Sequence, residues 1–433
     1  MQPAPISAIK EELLYYVWRL RRFDIQNLQT SEGEIIQILD VGQQNHDAGP
    51  DFSFARVKIG AKIWVGHIEM HVRASDWLRH RHQDDQAFEN VILHVVYEDD
   101  QQITLPNGEP LACLALQDHI DPHLVGSHQS LMEAEAWIPC ANNRHTITDI
   151  AIQSWYERVL VERLEEKTSY IHEVFEHTEY DWEETFYRIL ARNFGFKVNA
   201  DVFEALAIST PKKLLIRHGD NLKQIEALLF GQAGLIPSHP KDDYTLGLQE
   251  EYAFLKTKYG LTPIEPHIWK FMRMRPANFP TIRLAQFGVL LFKTAHLFSK
   301  MLAARSTKEL RQMFNSEVSW YWKNHYQFDQ SSPKKSKKLG ASSADLIIIN
   351  TIVPLLFLYG KVQQQADFCD RALAFLQELK PEKNKITDNY KALSFPIKNA
   401  FDSQALLQLK KQYCDRKRCL SCAIGHALLK ENI

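Results

Sequence analysis

The sequence has no glycine-rich phosphate loop, no nucleophile elbow and no dinucleotide fingerprint, so ATP-driven and serine-hydrolase readings lack support. Cysteine is scarce, with six residues at 113, 140, 369, 414, 419 and 422. No uninterrupted apolar stretch opens the chain, since Lys10, Glu11 and Glu12 stand where a secretory signal would carry one. A disulfide framework is therefore not expected, and the cytoplasm is the expected compartment. Long hydrophobic runs are also missing. The most apolar run, Leu346–Leu358, spans 13 residues, contains Asn350 and Pro354, and is too short to cross a bilayer. It reads as a buried helix, with no membrane association. No repeat of fixed period is visible, which disfavours a solenoid.

The 433 residues exceed what one core organises. Hydrophobic residues at 45% and charged residues at 24% describe an ordinary globular protein. The net charge of −2 is unevenly spread: residues 1–125 hold 10 Lys/Arg against 19 Asp/Glu, and the remainder holds 41 against 34. An acidic N-terminal domain joined to a basic remainder suits a metal-using site beside a polyanion-binding surface. A chance distribution of surface charge would give the same totals.

The pattern predicts an α/β N-terminal domain over residues 1–125, a linker at 126–146 and a mostly α-helical, basic region over 147–433. Residues 7–22 have a helical apolar face through Leu13, Leu14, Val17, Trp18 and Leu20. Strand-like runs follow at 34–41, 52–59, 63–72 and 91–97, and Pro106-Asn107-Gly108 signals a hairpin between 103–105 and 111–116. Ser75 with Asp76, Trp77 and Leu78 reads as a helix start, with the helix reaching about Phe88. Beyond residue 147 the periodicity is helical almost throughout.

Residues 46–94 carry six of the eighteen histidines, at 46, 67, 71, 80, 82 and 94. They also carry Asp51 behind Pro50, and Glu69 two residues before His71. If the hairpin turn is centred on Gly60, Asp51 stands opposite Glu69, and strand alternation puts His67, Glu69 and His71 on that face. A two-residue turn at Gly60-Ala61 would aim Asp51 at the face of Met70, and a bulge would restore the first register. Two carboxylates facing each other can hold Mg²⁺ or Mn²⁺, which polarises a phosphodiester oxygen and acidifies a bound water. His71 could position or deprotonate that water, or serve as a ligand for a softer ion such as Zn²⁺. His80 and His82 are i, i+2 and cannot both face one way on a helix. His46, His80 and His82 are supporting candidates. A packed, hydrogen-bonded role is the commoner fate of any one of these histidines.

Pro50-Asp51 and Glu69-Met70-His71, in the order helix, three strands, helix, strand, resemble the PD-(D/E)XK nuclease superfamily over residues 7–100. The resemblance implies a nuclease-like mixed sheet flanked by helices, and metal-dependent cleavage of nucleic acid, DNA above all. It also implies that Glu11 or Glu12 matches an acidic residue some members carry in their first helix. His71 stands where that pattern has lysine, so a non-catalytic nucleic-acid-binding or scaffold protein keeping the fold is an alternative, as is a histidine-rich metallohydrolase of a small molecule. The segments NHDAGPDF (45–52), HIEMHVRASDWLRHRH (67–82), NVILHVVYE (90–98) and RMRPANFPTIRLAQF (273–287), with the cysteine-rich tail, resemble a bacterial family of uncharacterised function.

In the tail, Cys414, Cys419 and Cys422 form Cys-x4-Cys-x2-Cys, a spacing that suits Zn²⁺ or an iron–sulfur cluster with a fourth ligand from Cys140, Cys369 or His426. Cys140 with the tail triplet is similar in outline to the cluster ligands of some nucleases of the fold just named. Three reduced cysteines on a basic terminal helix give the same pattern. Arg273, Arg275 and Arg283 flank a proline corner, and Lys334, Lys335, Lys337 and Lys338 lie in an expected exposed loop. These are candidate contacts to a nucleic-acid backbone, although a corner pinned by its arginines is the plainer reading.

Overall fold

The computed structural model describes residues 4–294 and 296–430. The chain forms two compact units. The first takes residues up to Trp155, then Tyr390–Pro396 and the tail from Leu409; the second takes Tyr156–Asn389 and Ile397–Gln408. The cysteine-rich tail therefore belongs to the first unit and does not continue the helical region.

In the first unit, helix α1 (Glu11–Arg19) buries Leu13, Leu14, Tyr16, Val17 and Trp18 and places Glu11 and Glu12 in its first turn, where carboxylates complement the helix dipole. The strands are β1 (Ile36–Asp40), β2 (Gln43–Gln44), β3 (Phe52–Ile59), β4 (Lys62–Arg73), β5 (Val91–Glu98) and β6 (Cys113–Ala115). They form a mixed sheet of order β1-β3-β4-β5-β6, with β2 beside β3. Pairing is antiparallel from β1 to β4 and parallel from β4 to β6.

The β3–β4 hairpin turns through Gly60 and Ala61, with Gly60 at φ 57°. Its pairs run from Ile59↔Lys62 to Ala55↔Gly66, after which the register shifts and Phe52 pairs with Ile68. Phe54, at φ 61°, lies within the shifted stretch. The extra residue moves the pairing by one, so Asp51 comes opposite Glu69 and not Met70.

The β4–β5 crossover departs from the expected long helix. Helix α2 is only Asp76–Arg79, followed by 3₁₀ turns at His82–Asp84 and Gln86–Phe88. Arg81 takes a left-handed conformation (φ 62°, ψ 35°) and ends the helix. From His80 to Ala87 no residue is buried, so there is no apolar stripe to hold a helix against the sheet. The crossover is instead anchored at its ends by Trp77 and Phe88, which pack with Val91, Ile103 and Leu111. Pro106-Asn107-Gly108 does form a tight turn, with Leu111 N–H donating to the Ile103 carbonyl. The chain then leaves it to add β6 parallel to β5. Residues 126–146, expected as a linker, contain the end of helix α3 (Pro122–Glu133, capped by Asp121) and a 3₁₀ turn at Ala141–Thr146.

The second unit is mostly helical. Its long elements include the part of α4 (Asp149–His177) from Tyr156, then α5 (Trp182–Phe194), α6 (Phe196–Ser209) and further helices such as Asp243–Tyr259, Pro280–Lys293 and Ala366–Glu378. The helical run Ala341–Val362 contains a π turn at Ile348–Ile352. By length and composition it could cross a membrane, but its most apolar window is 67% buried, as a core helix would be.

Candidate metal centre

Strand β4 carries Glu69 and His71 on one buried face, and the crossover returns His80 and His82 to the same point. His71 Nε2 lies 3.1 Å from His80 Nδ1 and 3.3 Å from His82 Nε2. Glu69 Oε1 is 3.2 Å from His82 Nε2 and 3.6 Å from His71 Nε2. Donors bound 2.0–2.1 Å from one tetrahedral ion stand roughly 3.3 Å apart; the three histidine nitrogens all lie within 4.8 Å of one another, as a ligand set would, and Glu69 stands beside two of them. The left-handed Arg81 is what turns both neighbouring imidazoles inward. The expectation that His80 and His82 must diverge assumed a continuous helix, and the break at Arg81 corrects it.

Arg79, on the crossover, pairs with Asp76 at 3.0 Å, and its charge adds to the lowering of His71. His71 Nδ1 meets His94 Nε2 at 2.9 Å. Were His71 Nε2 to bind an ion, its ring proton would sit on Nδ1 and be donated to His94, an outer-shell contact of the kind that fixes a ligand's tautomer. Parallel pairing sets Glu69 beside His94 on β5, which is how a histidine 23 residues from His71 comes to support it. His94 had no sequence signal beyond being one more histidine in a strand.

A second layer is carboxylate-rich. The Asp51 N–H donates to Glu69 Oε2 at 3.2 Å, and Asp51 Oδ2 accepts from the Met70 N–H at 2.9 Å. Tyr15 hydrogen-bonds Asp51 from α1, one turn after Glu11. The charge of Glu11 acts on Asp51, Glu69 and Tyr15, and Glu11 is itself influenced by His80. Tyr15 was not singled out in the sequence, although its i, i+4 spacing from Glu11 places both on one helix face.

Burial pushes the Asp51 carboxyl up to about 6, against the opposing pull of the Met70 N–H and Tyr15 hydroxyl. Burial, then the charge of Asp51, pushes Glu69 up to about 9. Burial, then the neighbouring histidines, lowers His71 to about 2, and burial lowers His94 to about 3. Neutral imidazoles beside carboxyls that resist ionisation form a site whose shifts a divalent cation would reverse. Imidazole with carboxylate suits Zn²⁺ or Mn²⁺ better than an all-oxygen Mg²⁺ site.

The other candidates separate. His46 is exposed and lies outside the cluster. Arg283, expected to be available to a polyanion, is buried: its guanidinium donates to Asn278 Oδ1 at 2.7 Å and Gln286 Oε1 at 3.0 Å, and lies 4.4 Å from the Phe196 ring centroid. It pins the proline corner through amides and not carboxylates. Arg273 and Arg275 are exposed, as are Lys334, Lys335 and Lys338. Lys337, expected in the same exposed loop, is buried and donates to the carbonyls of Trp322 and His325 at 2.6 and 2.7 Å.

Residues 11–385 match the model of DUF2851, described as a protein of unknown function, and the chain belongs to that family. The match covers the histidine cluster and stops before the tail cysteines. Comparison with curated proteins and with solved structures found no match.

Proposed function

We propose that the protein is a metal-dependent hydrolase of phosphodiester bonds in nucleic acid, with its centre at Glu69, His71, His80 and His82. The observation that carries this reading is the convergence of three imidazole nitrogens within 4.8 Å of one another, with the Glu69 carboxylate beside two of them. A bound divalent ion would polarise a phosphoryl oxygen and lower the pKa of a water. The three histidines would hold that ion and leave a position for the water, with Glu69 beside His71 and His82, so His71 would act as a ligand and not as a free base. His94 orients His71. Asp51 steadies Glu69 through its N–H and offers the second carboxylate for Mg²⁺ or Mn²⁺.

The nucleic-acid part of the reading is supported by the order of elements: α1, an antiparallel trio β1-β3-β4, a crossover, and β5 parallel to β4. That order resembles the PD-(D/E)XK core, in which Asp51 and Glu69 would stand at the acidic positions. The excess of basic residues after residue 125 suits a polyanionic substrate. The exposed Arg273, Arg275, Lys334 and Lys335 are its candidate backbone contacts.

The test is Mn²⁺- and Zn²⁺-dependent cleavage of single- and double-stranded DNA by wild type, Asp51→Ala and His80→Ala. Cleavage lost in both variants supports the reading. Cleavage intact in both overturns the assigned site. Metal binding without action on any nucleic acid would transfer the site to a small-molecule metallohydrolase, and nucleic-acid binding without metal or cleavage would favour a scaffold.

A further inference from the structure

The tail makes a second centre, independent of the first. Cys414, Cys419 and Cys422 come from the turns after Leu409, and Cys140 joins them from the loop that follows α3. The four thiols line one small cavity whose other walls include Ile138, Pro139, Phe395 and Leu409. The other two candidates for a fourth ligand are engaged elsewhere: His426 Nε2 bonds the Leu420 carbonyl, and Cys369 lies in the second unit against the Phe357 carbonyl.

Three features distinguish this set from buried packing cysteines. Burial pushes all four thiols up, Cys140 and Cys419 to about 12 and Cys422 to about 11, and the neighbouring thiols add to the rise at Cys414 and Cys419, as sulfurs gathered in one place would. None forms a disulfide. Donors are also aimed at the sulfurs. The Tyr390 hydroxyl meets Cys414 Sγ at 3.3 Å, and the backbone N–H groups of Ile424 and Gly425, with the Trp155 indole, are directed at Cys422. Donors around sulfur are what a thiolate needs, and a neutral thiol in an apolar cavity has little use for them.

The spacing then selects the ligand. Four thiolates at 2.3 Å from one zinc ion would stand roughly 3.8 Å apart. Among the described residues, the histidine trio is the group whose ligand atoms all fall within 4.8 Å of one another, and no three of the cysteine sulfurs do so. The four sulfurs face a common cavity from too far apart to share one ion.

We infer that Cys140, Cys414, Cys419 and Cys422 hold a four-cysteine iron–sulfur cluster that ties the tail to the loop after α3. Anaerobically purified full-length protein, reconstituted with ferrous iron and sulfide, should carry about four iron and four sulfide per chain and absorb broadly near ~400 nm, bleaching with dithionite. Cys140→Ser and Cys419→Ser should each lose most of the band, while Cys369→Ser keeps it. Stoichiometric zinc with no iron in the wild type would overturn the inference. So would reconstituted wild type without the band, a reading that needs no variant to fold. Full iron retention in Cys140→Ser would remove Cys140 from the ligand set.

Discussion

Replacing His80 by alanine separates metal binding from folding more cleanly than any other change at the centre. His71 and His94 are buried, so truncating either opens a cavity, whereas His80 is exposed and its removal leaves packing almost untouched. With metal at 100 times its dissociation constant, binding stabilises the folded form by about 2.7 kcal/mol. For a unit of this size each kcal/mol moves Tm by about 2–4 °C, so the wild type should gain roughly 5–10 °C over its chelated state. Losing one of three nitrogen ligands should weaken affinity at least as much as losing an outer-shell partner, about 100-fold at the upper end. At the same metal concentration the variant then sits at its dissociation constant and gains only about 0.4 kcal/mol, near ~1 °C. Thermal unfolding in EDTA and in titrated Zn²⁺, Mn²⁺ or Co²⁺ gives all four values, and Co²⁺ adds a visible spectrum that reports coordination. Equal metal-induced shifts in wild type and His80→Ala, or no shift in the wild type with any of these ions, would refute the reasoning.

Arg81→Val should destabilise by about 1–2 kcal/mol, because a β-branched residue resists the left-handed conformation at φ 62°, while Arg81→Gly should be tolerated; denaturant midpoints and metal affinity check both. His94→Phe should leave the fold intact but weaken metal binding about 10–100-fold, since His71 Nδ1 loses its partner; calorimetric titration would show it, and unchanged affinity would remove His94 from the site. Glu226, in the second unit, is buried, accepts from the Tyr244 hydroxyl at 3.0 Å, and is pushed by burial up to about 7. Below pH 4.5 it is protonated folded and unfolded; between 4.5 and 7 only the unfolded chain ionises, so stability falls through that window. Glu226→Gln removes this dependence and should be the more stable form at pH 8 by up to about 3 kcal/mol, relative to their difference at pH 4, in urea unfolding. A pH-independent difference between the two would contradict the burial argument.

Much of the first unit was legible because its strands are short apolar runs between clear breaks: β3 falls at 52–59 as read, and β4 and β5 fall within a residue of the reading at each end. The register of β3 on β4 was not, because it depends on a bulge at Phe54, a residue whose type gives no hint of a positive φ. The same limit hid the histidine cluster. Spacing alone sends His80 and His82 to opposite sides, and only the left-handed Arg81 brings them together. Longer-range pairings such as His71 with His94 need the sheet before they can be seen. Lysine and arginine runs suggest exposed surface, yet Lys337 and Arg283 bury their charges against carbonyls and amides that sequence does not locate.

The histidine cluster draws its donors from residues 71 to 82, a single strand and the crossover that leaves it. Such a centre is complete in the nascent chain soon after β5 emerges, long before the helical unit exists, and a metal taken up then would clasp the crossover while the rest is still being made. The four cysteines impose the opposite schedule. Cys140 waits for Cys422, so that set can close only when synthesis is almost finished. Growth at about 5–20 residues per second leaves a gap of roughly 15–60 s between the two events, during which the first unit has its sheet and its histidine site but lacks its final strap.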